Sequence, residues 1–276
     1  MTVFKAERGV RGGIQRAALS ALLALGLFAA AVPAAAQDDY EDEGDFYITD
    51  AENVTDDGLQ EVLEGLEEDE FLEGIVEGLN DSLNLPVDIS INFKQCGEEN
   101  AYYSPDETAI TVCLELFTEP REKLAAFYDN DEDTDAAIRG YALAIIYHEV
   151  GHAVVNVMEI PITGREEDAV DQFAVWWLSD NDEGDLAVID AALGFYEDPD
   201  GDARTGSDED SLADEHSLSQ QRYYNFLCWV YGSDTSAHAD LLEEEWLTAA
   251  RAERCEAEFE QLNTSWYVLM EGRLKS

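Results

Sequence analysis

Apolar residues fall at Leu59, Val62, Leu63, Leu66, Phe71, Ile75 and Leu79. That three-and-four spacing predicts helix from about Leu59 to Leu83, although Gly65, Gly74 and Gly78 lower its propensity. The period then changes. Val87 to Phe93 alternates apolar and polar, the pattern of a strand. Ala101–Tyr103, the turn residues Ser104-Pro105-Asp106-Glu107, and Thr108–Val112 read as strand, turn and strand. Glu119–Tyr128 reads as a short helix with Pro120 in its first turn. An acidic loop at Asp129–Asp135 leads into a long helix that Asp135 or Thr134 can cap and that runs to about Met158. Apolar residues occupy almost every face of this helix, so burial is expected. Pro161 cannot continue it, Thr163-Gly164 makes a turn, and another helix begins near Arg165. The remainder is mostly helical. A small N-terminal sheet with an edge hairpin, then a long helix and a helical C-terminal part, predicts an α+β domain over residues 59–276.

Charge narrows the function classes. The 276 residues carry 63 Asp+Glu against 15 Lys+Arg, a formal net charge of −48. That excludes nucleic acid as a partner bound by phosphate neutralisation and argues against an anionic membrane surface. Hydrophobic residues at 46% and aromatics at 10% support a packed core, which a wholly disordered acidic chain lacks.

Lys5, Arg8, Arg11 and Arg16 precede an apolar run from Ala17 to Val32, and Ala34-Ala35-Ala36 offers a small-residue cleavage site. This pattern predicts a signal peptide over residues 1–36 and a periplasmic or secreted protein with no membrane span after cleavage. Cleavage removes four basic residues and one acidic one (Glu7), leaving 11 basic against 62 acidic groups, a net of −51. Residues 37–58 are rich in Asp and Glu and are expected to form a flexible acidic extension. The cysteines are Cys96, Cys113, Cys228 and Cys255. In an exported chain an even number implies disulfides, and the local pairs Cys96–Cys113 and Cys228–Cys255 are preferred among three connectivities. The first is expected to staple a hairpin and the second two helices.

The long helix carries His148-Glu149-Val150-Gly151-His152. Histidines four apart share a helix face, so both can reach one zinc ion at about 2.0–2.1 Å. Glu149, one step round, can take a proton from a water activated by that ion. A catalytic zinc needs a third protein ligand. In the next helix Glu167 and Asp171 share a face that the turn folds back over the histidines. Glu167 is the expected third ligand, and Asp171 the expected acceptor for a ligand imidazole N–H or an alternative ligand. Glu166 and Asp168 are explained by the helix dipole. His238 shows nothing beyond a surface position. Asp198, Asp200, Asp202 and Glu209 are spaced like a calcium loop, but Ala203 stands where that loop needs Gly, leaving weak divalent cation binding by acidic loops.

These motifs carry a resemblance. His148–His152 followed by Glu167 and Asp171 is similar to the gluzincin group of metallopeptidases. With Pro161–Asp168 and Asp171-Gln172 it resembles a bacterial metallopeptidase family defined as a domain of unknown function, from about residue 85 onward. The resemblance implies a zincin-like fold, one zinc ion, and a peptide or protein substrate. Asn100-Ala101-Tyr102-Tyr103 resembles the edge strand by which such enzymes hold a substrate backbone, implicating Asn100, Ala101 and Tyr103. It also implies a downstream donor to the oxyanion, for which His216, Arg222 and Tyr223 are candidates. The expected function is an exported zinc metallopeptidase with Glu149 as general base. The alternatives are a non-catalytic zinc-stabilised protein that presents its sheet edge to a partner, and an acidic cation-binding protein in which the histidine pair is incidental.

Overall fold

The computed structural model describes residues 41–197 and 213–275, all within the unit Asp38–Ser276. The expected signal peptide and the Asp198–Glu209 loop lie outside the described residues. The fold is α+β, with a four-stranded sheet near the N-terminus and a helical C-terminal part.

The sheet comprises β1 (Phe46–Ile48), β2 (Ile89–Lys94), β3 (Ala101–Ser104) and β4 (Ala109–Cys113), in the order β1-β2-β4-β3. β1 and β4 run parallel to β2, and β3 runs antiparallel to β4. β3 is therefore an edge. Ile89, Ile91 and Phe93 of β2 alternate onto the buried face with Ile110 and Val112 of β4, as the sequence pattern requires. The Cys96–Cys113 disulfide joins the segment after β2 to the end of β4. It thus ties parallel neighbours rather than stapling the β3–β4 hairpin.

Three expectations are corrected. Residues 37–58 are not wholly an extension, because Phe46–Ile48 pairs with Ile89–Ile91 and Phe46 is buried. That strand is three residues long and set among acids, too short for alternation to register. The helix expected over 59–83 is two, α1 (Asp57–Glu68) and α2 (Phe71–Ser82). The break falls at Glu70, with φ of 51°, and not at a glycine. The acidic segment before the long helix is its first turn. After a single turn α3 (Arg121–Leu124), α4 spans Asp131–Val157 and is capped by Asn130, whose side chain accepts Asp133 N–H at 2.9 Å. Asp131, Glu132 and Asp133 then stand where the helix dipole favours anions.

α4 packs against β3 and β4 on one side and against α5 (Glu166–Leu178) and α6 (Asp182–Phe195) on the other. Gly151 permits the α4–α5 approach. A Cβ there would lie 2.9 Å from Val170 Cβ and 3.1 Å from Phe173 Cδ1. α7 (Ser219–Ser233) packs on α6, followed by α8 (Asp240–Glu243), α9 (Ala249–Ala252) and α10 (Cys255–Leu269). The Cys228–Cys255 disulfide joins α7 to the start of α10, the pairing read from the sequence. Beyond α10 the chain returns to the N-terminal layer. Asn84 N–H donates to Arg273 O at 2.7 Å, Lys275 N–H to Ser82 O at 2.8 Å, and Lys275 Nζ to Asn80 O at 2.7 Å. No described helix is long and apolar enough to cross a membrane.

Candidate metal centre and cleft

The α4–α5 turn folds the acidic start of α5 over the histidine face of α4. His148 Nδ1 lies 2.7 Å from Asp171 Oδ1, and His152 Nδ1 lies 2.9 Å from Glu166 Oε1. Each imidazole therefore has its Nδ1 tied to a carboxylate and its Nε2 turned toward the cleft. Both Nε2 atoms face Glu167 Oε2, His148 at 3.1 Å and His152 at 3.3 Å. His216 Nε2 approaches the same oxygen at 3.0 Å, while its Nδ1 lies 3.1 Å from Asp214 Oδ1. Three ring nitrogens thus converge on one carboxylate oxygen.

Glu149 points to the other side. It is buried, and its Oε2 accepts the backbone N–H of Tyr103 on β3 at 2.8 Å. The neighbouring outward amide, Ala101 N–H, donates to Asn100 Oδ1 at 2.9 Å. Tyr103 O–H donates to Asn156 Oδ1 on α4 at 2.9 Å. Edge strand, imidazoles and Glu149 together line a cleft of about 760 Å³, with Asn100, Ala101, Tyr103, His216 and Arg222 also on its walls.

Electrostatics follow from this crowding. Burial pulls the His148 and His152 imidazoles down, but hydrogen bonds to carboxylates outweigh it and hold both above their ordinary value, His152 at about 9. Burial raises the Glu167 carboxyl, yet hydrogen bonds from three histidines outweigh that and depress it far below the usual range. The Glu149 carboxyl is raised, chiefly by burial. Asp171 would also be raised by burial, but the Arg222 charge and the His148 hydrogen bond bring it down to about 2.

The donor set suits a borderline metal such as zinc: imidazole nitrogens, a carboxylate, and ring N–H groups held by carboxylates behind them. The ligand atoms of His148, Glu167 and His216 all lie within 4.8 Å of one another.

Several sequence-read positions land differently. Tyr223 is not on the cleft wall, because its side chain turns into the core and its O–H donates to Trp246 O at 3.0 Å. Arg222 reaches the cleft, but its Nε and one Nη are committed to Asp171. His238 is no surface histidine, since its Nε2 meets Asp185 Oδ2 at 2.9 Å. Glu166 escaped the sequence reading because the helix dipole already accounted for it. Its place in the first turn of α5, one residue before Glu167, was the available signal. Asp214, two residues before His216, was likewise overlooked.

No curated protein and no solved structure matches the chain. A family model described as "putative metallopeptidase" matches residues 51–270, a span that takes in β2, β3 and β4, the histidine helix, α5 and α7. The chain belongs to that metallopeptidase family.

Proposed function

We propose that the cleft is the active site of an exported zinc metallopeptidase. The observation that carries this reading is the division of labour on α4. Two imidazoles turn Nε2 toward Glu167 with Nδ1 held from behind, while Glu149 between them turns away, toward the strand edge. A purely structural metal site would have no use for Glu149 in that position.

His148, His152 and Glu167 are the residues that would hold the metal, and Asp171 supports His148. When bound, a zinc ion supplies Lewis acidity toward the scissile carbonyl and toward a water. An extended peptide lies along β3, pairing with the outward groups of Ala101 and Tyr103. Those amides are satisfied by Asn100 and Glu149, so an incoming substrate carbonyl exchanges with one of them. Glu149 accepts the proton of the attacking water and delivers it to the leaving amine. Burial raises its carboxyl toward the range in which a carboxylate both accepts and returns a proton. His216, steadied by Asp214, is the donor to the oxyanion of the tetrahedral intermediate.

One observation favours a second assignment of His216. Its Nε2 is as close to Glu167 as that of His148, which suits a metal ligand as well as a donor. Replacing His216 by Ala separates the two: a donor's loss spares zinc binding, whereas a ligand's loss does not.

The test of the main reading is metal content and peptide cleavage in wild type and Glu149→Gln. Both should carry about one zinc per chain. Cleavage in a broad peptide library should fall by about 10²–10⁴ in the variant, the usual worth of a general base. Equal cleavage by the two proteins would sink the mechanism. A zinc-loaded wild type that cleaves nothing would favour the non-catalytic binding protein.

A further inference from the structure

We propose that Arg222 is a positioning residue for the metal-binding imidazole of His148, acting through Asp171. The proposal rests on the reading of the cleft as a metal centre. Its observations are geometric. Arg222, in the first turn of α7, donates from Nε to Asp171 Oδ2 at 2.9 Å and from Nη2 to Asp171 Oδ1 at 2.6 Å. Asp171 Oδ1 also meets His148 Nδ1 at 2.7 Å. The guanidinium carbon stands 4.0 Å over the Phe195 ring. One line of contacts thus runs from α6 and α7 through α5 to α4.

A carboxylate held by one hydrogen bond can still swing about its last torsion. Two parallel N–H bonds from a guanidinium fix its plane. Oδ1 then has one direction in which to receive the imidazole N–H, and the opposite ring nitrogen has one direction in which to present its lone pair. The three side chains are 11%, 5% and 3% exposed for Arg222, Asp171 and His148, so water cannot take over the task. Burial gives a second reason. Without Arg222, Asp171 would be an anion enclosed in protein with an imidazole as its remaining partner, an arrangement that favours rearrangement of the carboxylate. Among the described residues that line the cleft, the other cationic side chains are histidines. The same commitment of Nε and Nη2 removes the Arg222 edge best suited to gripping a substrate carboxylate.

The experiment measures zinc affinity by chelator competition on the disulfide-intact protein, with kcat and KM on a cleaved peptide. The variants are Arg222→Gln, Arg222→Lys, Asp171→Asn and the double variant Asp171→Asn/Arg222→Gln. Arg222→Gln should lose zinc affinity by about 10–100-fold, the usual effect of removing a partner behind a ligand. Arg222→Lys keeps the charge without the in-plane pair of donors and should fall between it and wild type. The double variant should bind zinc no worse than the weaker single one, because both changes break one chain of contacts. If Arg222→Gln does not fold, the lysine and double variants carry the test, since the double variant leaves no buried lone anion.

Unchanged zinc affinity in the Arg222 variants with a raised KM would make Arg222 a substrate-binding residue and overturn the proposal, while leaving the metal centre intact. Losses that multiply in the double variant would overturn it too. A wild type that takes up no zinc would overturn the metal-centre reading and this proposal with it.

Discussion

Asp190 offers a measurement of what it costs to bury a charge in this fold. It sits on α6, 6% exposed, and its hydrogen-bond partner is the Tyr128 O–H. Gly140 of α4 closes the other side, where a Cβ would stand 2.2 Å from Asp190 Oδ2. The nearby Lys123 ammonium is engaged with Gly194 O at 2.7 Å. Burial, opposed by the tyrosine hydrogen bond, pushes the carboxyl up from 3.8 to about 7. A raised acid binds its proton more tightly in the folded state. The stability this gives is fully present below about pH 4 and is lost as pH rises through 7. The shift corresponds to about 4 kcal/mol. Asp190→Asn keeps an acceptor for Tyr128 and carries no charge at any pH. It should therefore be more stable than wild type by about 2–4 kcal/mol at pH 8 and close to wild type at pH 4. Urea unfolding of both proteins, with disulfides intact, at steps from pH 4 to 8 reads the difference. The other acidic groups titrate alike in the two proteins and cancel. A difference that stays constant across that range would refute the reasoning, and so would one that appears only at low pH.

Two further expectations concern the metal centre and the disulfides. Glu167→Ala should lose most zinc while Asp171→Asn weakens binding by about 10–100-fold, measured by metal analysis after dialysis; the reverse order would exchange their roles. Reducing or replacing the Cys228–Cys255 pair, which closes a 27-residue loop, should cost about 3.5 kcal/mol of stability by chain entropy, read from the urea midpoint.

How much of this was legible in the sequence depends on whether a signal was local. β2 and the β3–β4 hairpin were legible because alternation and a Pro-Asp turn are properties of a few adjacent residues. The histidine helix was legible because ligand spacing and helical repeat coincide at four residues. The disulfide pairs followed from proximity along the chain. What escaped depended on distant partners. β1 is a strand because β2 lies beside it, and three residues cannot announce that. The start of α4 was misplaced because a run of acids reads as loop until the dipole of the following helix is considered. Tyr223 and Arg222 sit side by side on α7, and only the packing of α7 on α6 decides that one turns inward and the other toward Asp171. The role of Glu166 required knowing which way the imidazole of His152 faces.

The return of residues 273–275 to residues 80–84 sets an order on folding. Leu83 is fully buried beside Leu274, and the Lys275 side chain also reaches Asp42 at 2.7 Å. These contacts span about 190 positions, so the segment that follows α2 lacks these partners until residue 275 has been made. A ribosome adding about 5–20 residues per second leaves those partners missing for roughly 10–40 s after residue 84 appears. During that interval the chain cannot complete this part of its finished state. Removing residues 273–275 should therefore act on the N-terminal part of the fold, at residues 80–84, rather than on the helices that precede them.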